Sequence, residues 1–457
     1  MRHMIRFAAL LAASLAAAAF SAHSETPAAS VAPTPPMGWN SWDAYGFTID
    51  EADFKANVLV LAGMKKLGWT YAVIDEGWYM ANTSGDKAAT RDYQLDANGL
   101  LIPDTKRFPS AAGGAGLKPL ADWAHGHGLK FGLHILRGIP REAVARNTPI
   151  AGSSFHAADA ADTADACGWD DGNWGIRDNE AGQAYYDSQL KLYAEWGVDY
   201  VKVDCIADHP YKPTEIRQIA DAIKKTGRPI VLSLSPGPTH IEHATEIAQY
   251  AQMWRISNDI WDSWHFTHNA ATDDYPSGVD TAFDHLALWY PFARPGNWPD
   301  ADMLPFGSLA PHPGMGEPRQ SRLTPDEARA QFTLWSIARS PLILGANLTK
   351  LDDFTRSLIT NKEVIAVNQT AWESTPVGDL PKGFEKVRVW TALAGPRKKP
   401  IRYVAVFNLD DKPLGLKASW KQLGTAGRSA RELWTGVRAK RLDITLPPHA
   451  SAIYRIK

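Results

Sequence analysis

Residues 200–210 read YVKVDCIADHP. A lead-in of strand type closes on Lys202 and Asp204, two residues apart, with Cys205 directly behind them. Side chains two apart on a strand point to the same face, so the lysine and the aspartate enter one space. Such a strand end either lines a polar pocket or carries a structural ion pair of no chemical use. The segments around it decide between the two.

Seven further stretches share this texture: MGWNSW (37–42), TYAVID (70–75), KFGLHI (130–135), PIVLSLS (229–235), MWRIS (253–257), a stretch ending WPDADML (298–304) and SPLILGA (340–346). Helical patterns lie between them, among them DEADFKANVLVLAGMKKLG (50–68) and NEAGQAYYDSQLKLYAEWG (179–197), each ending in the glycine that commonly stops a helix. Strands alternating with helices in this number predict an α/β fold, a (β/α)8 TIM barrel. A doubly wound sheet would place a glycine-rich phosphate turn after its first strand, and NSWDAYG is not one. After about residue 370 the texture changes. VRVWTAL, RYVAVFNL, SAREL and SAIYRIK, with DDKP and PPHA as turns, predict a small all-β C-terminal antiparallel sandwich domain. The expected organisation is a signal peptide over 1–24, the catalytic barrel over 25–368 and the sandwich over 369–457.

The 457 residues carry a formal net charge of −2, without the basic surplus that a nucleic-acid partner would want. Aromatic content is high, with 18 Trp, 14 Tyr and 15 Phe; most belong in a core, but indoles also form flat platforms for sugar rings. The N-terminus, MRHMIRFAALLAASLAAAAFSAHSE, has a basic start, an apolar run and small residues before an expected cut after Ser24. It predicts export to the periplasm or beyond, and no later run is a membrane span. In an oxidising compartment Cys167 and Cys205, the only cysteines, favour a disulfide over two free thiols. Sequons occur at Asn82, Asn347 and Asn368.

Active sites of such barrels form at the C-terminal strand ends. Strand two ends on Asp75–Glu76, strand four on Lys202 and Asp204, and strand six leads into Arg255, Asp259 and Asp262. Singly, each has an ordinary reading as a helix cap, a structural pair or a turn residue. Together they describe carboxylates and cations converging on one mouth, an arrangement suited to glycoside hydrolysis by two carboxyl groups.

Seven motifs occur in order: TPPMGWNSW, IDEGW, KVDC, WRISNDIWDSW, WPDADML, SPLILGANL and EVIAVNQ. On these the chain resembles glycoside hydrolase family 27, the melibiase-type α-galactosidases, over nearly all its mature length. The resemblance implies a retaining double displacement, with Asp204 as nucleophile, Asp259 as acid/base and the two carboxyls about 5–5.5 Å apart. It implies Trp42 as an apolar wall, Asp75 and Glu76 at the far hydroxyls of the sugar, Lys202 at O3 and O4, and Arg255 near O2. It also implies a Cys167–Cys205 bridge beside the site, and neither a cofactor nor a metal.

Three positions depart from the family pattern. Glu76 stands where most members have Asp, and its extra methylene enters the space of the C6 hydroxymethyl. β-L-Arabinopyranose is in effect α-D-galactose without that group. Ser235 stands where many members hold O2 with Glu, as in the α-N-acetylgalactosaminidases, and His134 stands where Tyr is frequent. The expected activity is therefore exo-hydrolysis of terminal α-D-galactosides, with β-L-arabinopyranosides the rival and N-acetylgalactosaminides third. Both acids are present, which argues against a non-catalytic carbohydrate-binding barrel. A metal-dependent hydrolase would want His-x-His after the first strand, and THIEHATE, with His240 and His243, is not HExxH.

Overall fold

A computed structural model describes residues 31–83, 92–266, 276–309 and 317–457; the expected signal peptide lies outside the described residues. Eight parallel strands form the central sheet: β1 (Met37–Asn40), β2 (Tyr71–Ile74), β3 (Lys130–Leu136), β4 (Tyr200–Asp204), β5 (Val231–Leu234), β6 (Met253–Arg255), β7 (Trp298–Asp300) and β8 (Leu342–Leu344). Their spatial order is β8-β1-β2-β3-β4-β5-β6-β7. Just past β7, Leu304 bridges Leu344 in parallel, its N–H donating to the Ile343 carbonyl at 2.7 Å. That seam closes the sheet into the expected barrel.

Helices cover the outside, and the sequence starts and stops them locally. α1 (Glu51–Met64) opens on Asp50, whose carboxylate accepts from the Asp53 N–H at 2.8 Å, and its trailing 3-10 turn ends at Gly68 with φ +108°. α2 (Lys118–Gly126) follows β2. α3 (Glu180–Trp196) follows β3, opening on the Asn179 side chain and closing at Gly197 with φ +87°. At both glycines only the missing Cβ permits the left-handed turn without strain. α4 (Pro213–Thr226), α5 (Ala244–Tyr250), α6 (Ala282–Trp289), α7 (Pro325–Ala338), α8 (Asp353–Ile359) and α9 (Lys362–Thr370) complete the ring.

Strand alternation assigns one set of side chains to the lumen and the other to the helices. Val201 and Val203 join the large apolar cluster under the helices. Tyr71, Val73, Tyr200, Val231, Met253, Trp298 and Ile343 form a separate cluster that plugs the lower lumen. Two and four residues further along the same strands the luminal positions become Asp75, Lys202, Asp204, Ser233, Ser235, Arg255, Asp300 and Asp302. Lys202 and Asp204 therefore end a core strand because they are the upper steps of a column whose apolar base is Tyr200.

α9 ends at Thr370, and the sandwich begins with β9 (Ala371–Pro376). It continues with β10 (Val387–Ala394), β11 (Ile401–Asn408), β12 (Leu414–Ala418), β13 (Ala430–Glu432), β14 (Arg438–Ala439), β15 (Leu442–Leu446) and β16 (Ser451–Ile456). An antiparallel sheet of order β9-β10-β11-β16-β13-β14 faces the β12-β15 pair over Val389, Val404, Leu416 and Leu442. The opposite face of the larger sheet, through Trp390, Phe407 and Ile453, joins the barrel's own apolar cluster. Asn368 is fully buried and donates to the carbonyls of Trp335 and Ser340, so the folded chain offers no glycan acceptor there. No helix of the described residues is long and apolar enough to cross a membrane.

Candidate active site

At the tip of β2, Asp75 is buried and accepts on one oxygen from Asn40 Nδ2 at 2.6 Å and from Lys202 Nζ at 2.9 Å. Its other oxygen accepts from the Glu76 N–H, and its own N–H donates to the Ser41 hydroxyl. Burial pushes this carboxyl up, but the Lys202 ammonium, His134 and these hydrogen bonds outweigh it and hold Asp75 well below the usual carboxylate range. Lys202 mirrors it. Burial favours the neutral amine, and the charges of Asp75 and then Asp204 more than reverse that, so the ammonium persists.

Asp204 closes β4. Cys205 adopts a left-handed φ of +60°, which turns its N–H back onto Asp204 Oδ1 at 2.7 Å. His134 lies beside Lys202 in the β3–β4 register, its Nε2 3.5 Å from Asp204 Oδ2. Burial raises the Asp204 carboxyl, and His134, Lys202 and the Cys205 N–H together bring it below its ordinary value. An ionised, partly exposed carboxylate at a strand tip is a competent nucleophile.

Two tethers hold the turn behind it. Cys167 and Cys205 form the disulfide, with Cα atoms 6.0 Å apart. The buried Arg137 donates through Nε to the Cys205 carbonyl at 2.6 Å and through its Nη atoms to Asp165 and Glu215. Just past β5, Ser235 is buried with a hydroxyl that finds no partner among the described residues, and the same holds for Nδ1 of His134. Unpaired polar atoms next to an ionised carboxylate are groups prepared for a ligand that supplies the missing hydrogen bonds. Trp42, half-buried, packs edge-on against Phe47 with ring centroids 5.2 Å apart, and its N–H donates to the Asn40 that also holds Asp75. Glu76 follows directly, half-buried at the rim.

The opposite wall is built around Arg255, which is buried and donates through Nη2 to Asp259 Oδ1 at 3.1 Å and lies 2.9 Å from Asp302 Oδ2. Asp259 is the more open of the two acids, its side chain 33% exposed against 5% for Asp302. Asp43, buried after β1, is raised well above the usual carboxylate range by burial, with Asp302, Asp259 and Asp75 adding to the effect and Lys202 opposing it. Asp43 thus sits within electrostatic reach of Asp75 and Lys202 on one side and of Asp259 and Asp302 on the other.

Contacts thus join Asp75, His134, Lys202 and Asp204 at the tips of β2 to β4 and Arg255 and Asp259 after β6, with Trp42, Glu76 and Ser235 at neighbouring strand ends. Asp262 is not among them. It is fully buried behind the wall, held by Arg319 at 2.6 Å and Arg322 at 3.0 Å, and is a structural clamp. His240 and His243 also lie outside the cavity, His243 stacking on Tyr211. Asn40, Asp43, Asp300 and Asp302 went unassigned in the sequence. The alternation Trp298, Asp300, Asp302 in WPDADML was the available signal, since it repeats the apolar-to-acidic climb of strand four.

The family model described as Alpha galactosidase A matches residues 34–143 and 170–370, and that of the Alpha galactosidase C-terminal beta sandwich domain matches 385–456. An alpha-galactosidase A of Cellvibrio japonicus is 34% identical over 343 residues, 74% of this chain and 68% of the relative. An alpha-galactosidase of Oryza sativa subsp. japonica is 28% identical over 431 residues, 92% of this chain and 84% of the relative. Among solved structures, a GH27 β-L-arabinopyranosidase from Geobacillus stearothermophilus superposes with a TM-score of 0.85 at 40% identity, covering 94% of this chain and 98% of its own. Alpha-galactosidase I from Mortierella vinacea gives 0.69 at 26% identity, covering 93% and 97%. The chain belongs to glycoside hydrolase family 27 and is a glycoside hydrolase acting on O-glycosyl bonds.

Proposed function

We propose that the protein is an exported, retaining exo-glycosidase that removes terminal β-L-arabinopyranosyl residues in preference to α-D-galactosyl ones. Asp204 attacks the anomeric carbon while the glycosidic bond breaks, and Asp259 gives its proton to the departing oxygen. Asp259 then takes a proton from water, which attacks the same carbon and releases Asp204. What supports this reading is Asp204 at the tip of β4 beside Lys202 and His134, held below its ordinary pKa, together with Asp259 held by Arg255 after β6.

The sequence reading placed galactosides first. Glu76 at the rim of β2 and the 40% identity to a β-L-arabinopyranosidase support the reverse order. A carboxylate one methylene longer than Asp narrows the seat where a C6 hydroxymethyl would lie. Such a difference is worth about 1–3 kcal/mol, so galactosides remain slower substrates. Ser235 leaves N-acetylgalactosaminides as the third choice. Export rests on the reading of residues 1–24 and agrees with the Cys167–Cys205 bridge.

Side-by-side kinetics on the nitrophenyl β-L-arabinopyranoside, α-D-galactoside and α-N-acetylgalactosaminide test it. We expect kcat/KM for the first to exceed the second by about tenfold or more. Equal or reversed values would overturn the specificity, and inertness toward all three would overturn the activity.

A further inference from the structure

Asp302 lies just beyond the end of β7 and plays no part in the scheme above, yet its carboxylate touches the segment that carries Asp259. Oδ2 accepts from the N–H of Ile260, the residue after Asp259, at 2.7 Å, and lies 2.9 Å from Arg255 Nη2. The same Nη2 donates to Asp259 Oδ1 at 3.1 Å. The Asp259 carbonyl in turn accepts from the Ser277 N–H at 2.8 Å, so the peptide is held on both sides. Asp302 does this from a left-handed φ of +93°, a conformation that strains a non-glycine residue. The strain is held in place by the Trp335 indole, which donates to the Asp302 carbonyl at 2.8 Å, and by the Met303 N–H on Oδ1 at 2.7 Å. Strain over-determined in this way at a cavity wall marks a side chain that must sit in one place.

We propose that Asp302 is the positioning residue of the acid/base carboxylate: it fixes the Asp259–Ile260 peptide and competes with Asp259 for the shared Arg255 nitrogen. The inference rests on the acid/base assignment of Asp259. In the first half-reaction a proton passes from Asp259 to the glycosidic oxygen as the C1–O bond breaks. In the second half-reaction a water proton returns to it as the new C1–O bond forms. Asp302 neutralises the Arg255 guanidinium, which would otherwise favour the anion of its neighbour. The other groups facing the pair are Asp300 beside Arg255, Asp43 from the segment after β1, and Lys202 across the lumen. Burial pushes Asp302 up, Arg255 opposes it, and Asp259 and Asp300 add to it, so that it reaches about 7. Both acids lie on one Arg255 nitrogen, so removing the Asp302 charge leaves Asp259 facing the whole guanidinium, which favours loss of its proton.

Asp302→Asn keeps the shape and can still accept from Ile260. With the carboxylate gone, we expect the alkaline limb of kcat/KM against pH to move down by about 1 unit or more. At neutral pH the loss should be greater for an alkyl glycoside, whose leaving oxygen needs the proton, than for a dinitrophenyl glycoside, which does not. An unmoved limb with equal losses on both aglycones would reduce Asp302 to a structural residue and overturn the inference. Asp259→Ala run in parallel separates the two readings, because equal losses there would instead sink the acid/base assignment. Should Asp302→Asn fail to fold, the unaltered enzyme still decides. Its alkyl-glycoside activity should fall on the alkaline side while dinitrophenyl activity persists, and a parallel fall of both would overturn the proposal.

Discussion

Lys202 and Asp75, 127 residues apart in the chain, meet at 2.9 Å across the barrel lumen, with only 14% and 2% of their side chains exposed. The pair joins the tips of β2 and β4 and sets the charge of both. Removing the cation by Lys202→Met leaves Asp75 buried with Asn40 as its remaining side-chain partner. Breaking a buried pair in this way should destabilise the fold by about 3–5 kcal/mol, measured by denaturant unfolding. It should also affect Asp204, which Lys202 helps hold below its ordinary value. In the native enzyme the nucleophile is ionised above that lowered pKa, so the acid limb of kcat/KM should lie below the ordinary aspartate value of about 3.9. In the variant that limb should move upward in pH.

Glu76→Asp shortens the rim carboxylate by one methylene. The galactoside-to-arabinopyranoside ratio of kcat/KM should rise by about tenfold, inside the range a methylene can discriminate. An unchanged ratio would remove Glu76 as the determinant and leave Ser235 and His134 as the remaining departures from the family pattern.

The Cys167–Cys205 bridge closes a loop with a sequence separation of 38. Replacing both cysteines by serine should cost about 3–4 kcal/mol by the loop-entropy account. The loss should appear as a lower Tm and as no further change when reductant is added. A variant as stable as the native protein would show that the Arg137 contacts alone hold the turn after Asp204.

Much of this site was legible because a barrel strand is a column of luminal side chains. The spacing of two in YVKVD placed Lys202 and Asp204 together, and the same period carries Tyr200 to the apolar plug beneath them. What stayed hidden depends on tertiary contacts. WPDADML shows its period as clearly as YVKVD does, but nothing local reveals that Asp302 reaches Arg255 and the Ile260 N–H. Nothing local in NSWDAYG marks Asp43 either, because its carboxylate fills space left by Gly345, far away in the chain, where an added Cβ would stand 1.8 Å from Oδ2. Asp262 erred the other way. It has the sequence position of a mouth residue, and only the fold shows Arg319 and Arg322 closing over it.

Asp262→Asn should accordingly act on stability. Arg319 and the more exposed Arg322 lose their counter-charge, and unfolding should become easier by about 1–3 kcal/mol, the cost of charge-assisted hydrogen bonds to a buried acceptor. A thermal melt indistinguishable from the native protein would contradict the clamp.

The central claim is that Asp204 becomes covalently glycosylated. Incubation with a fluorinated glycosyl fluoride of galacto configuration, which slows release of the intermediate, followed by peptide mass mapping, tests it most directly. The account predicts one sugar adduct per chain, on the peptide bearing Asp204, and none in Asp204→Ala. An adduct on Asp259 or Glu76, or turnover with inverted anomeric configuration and no adduct, would contradict it.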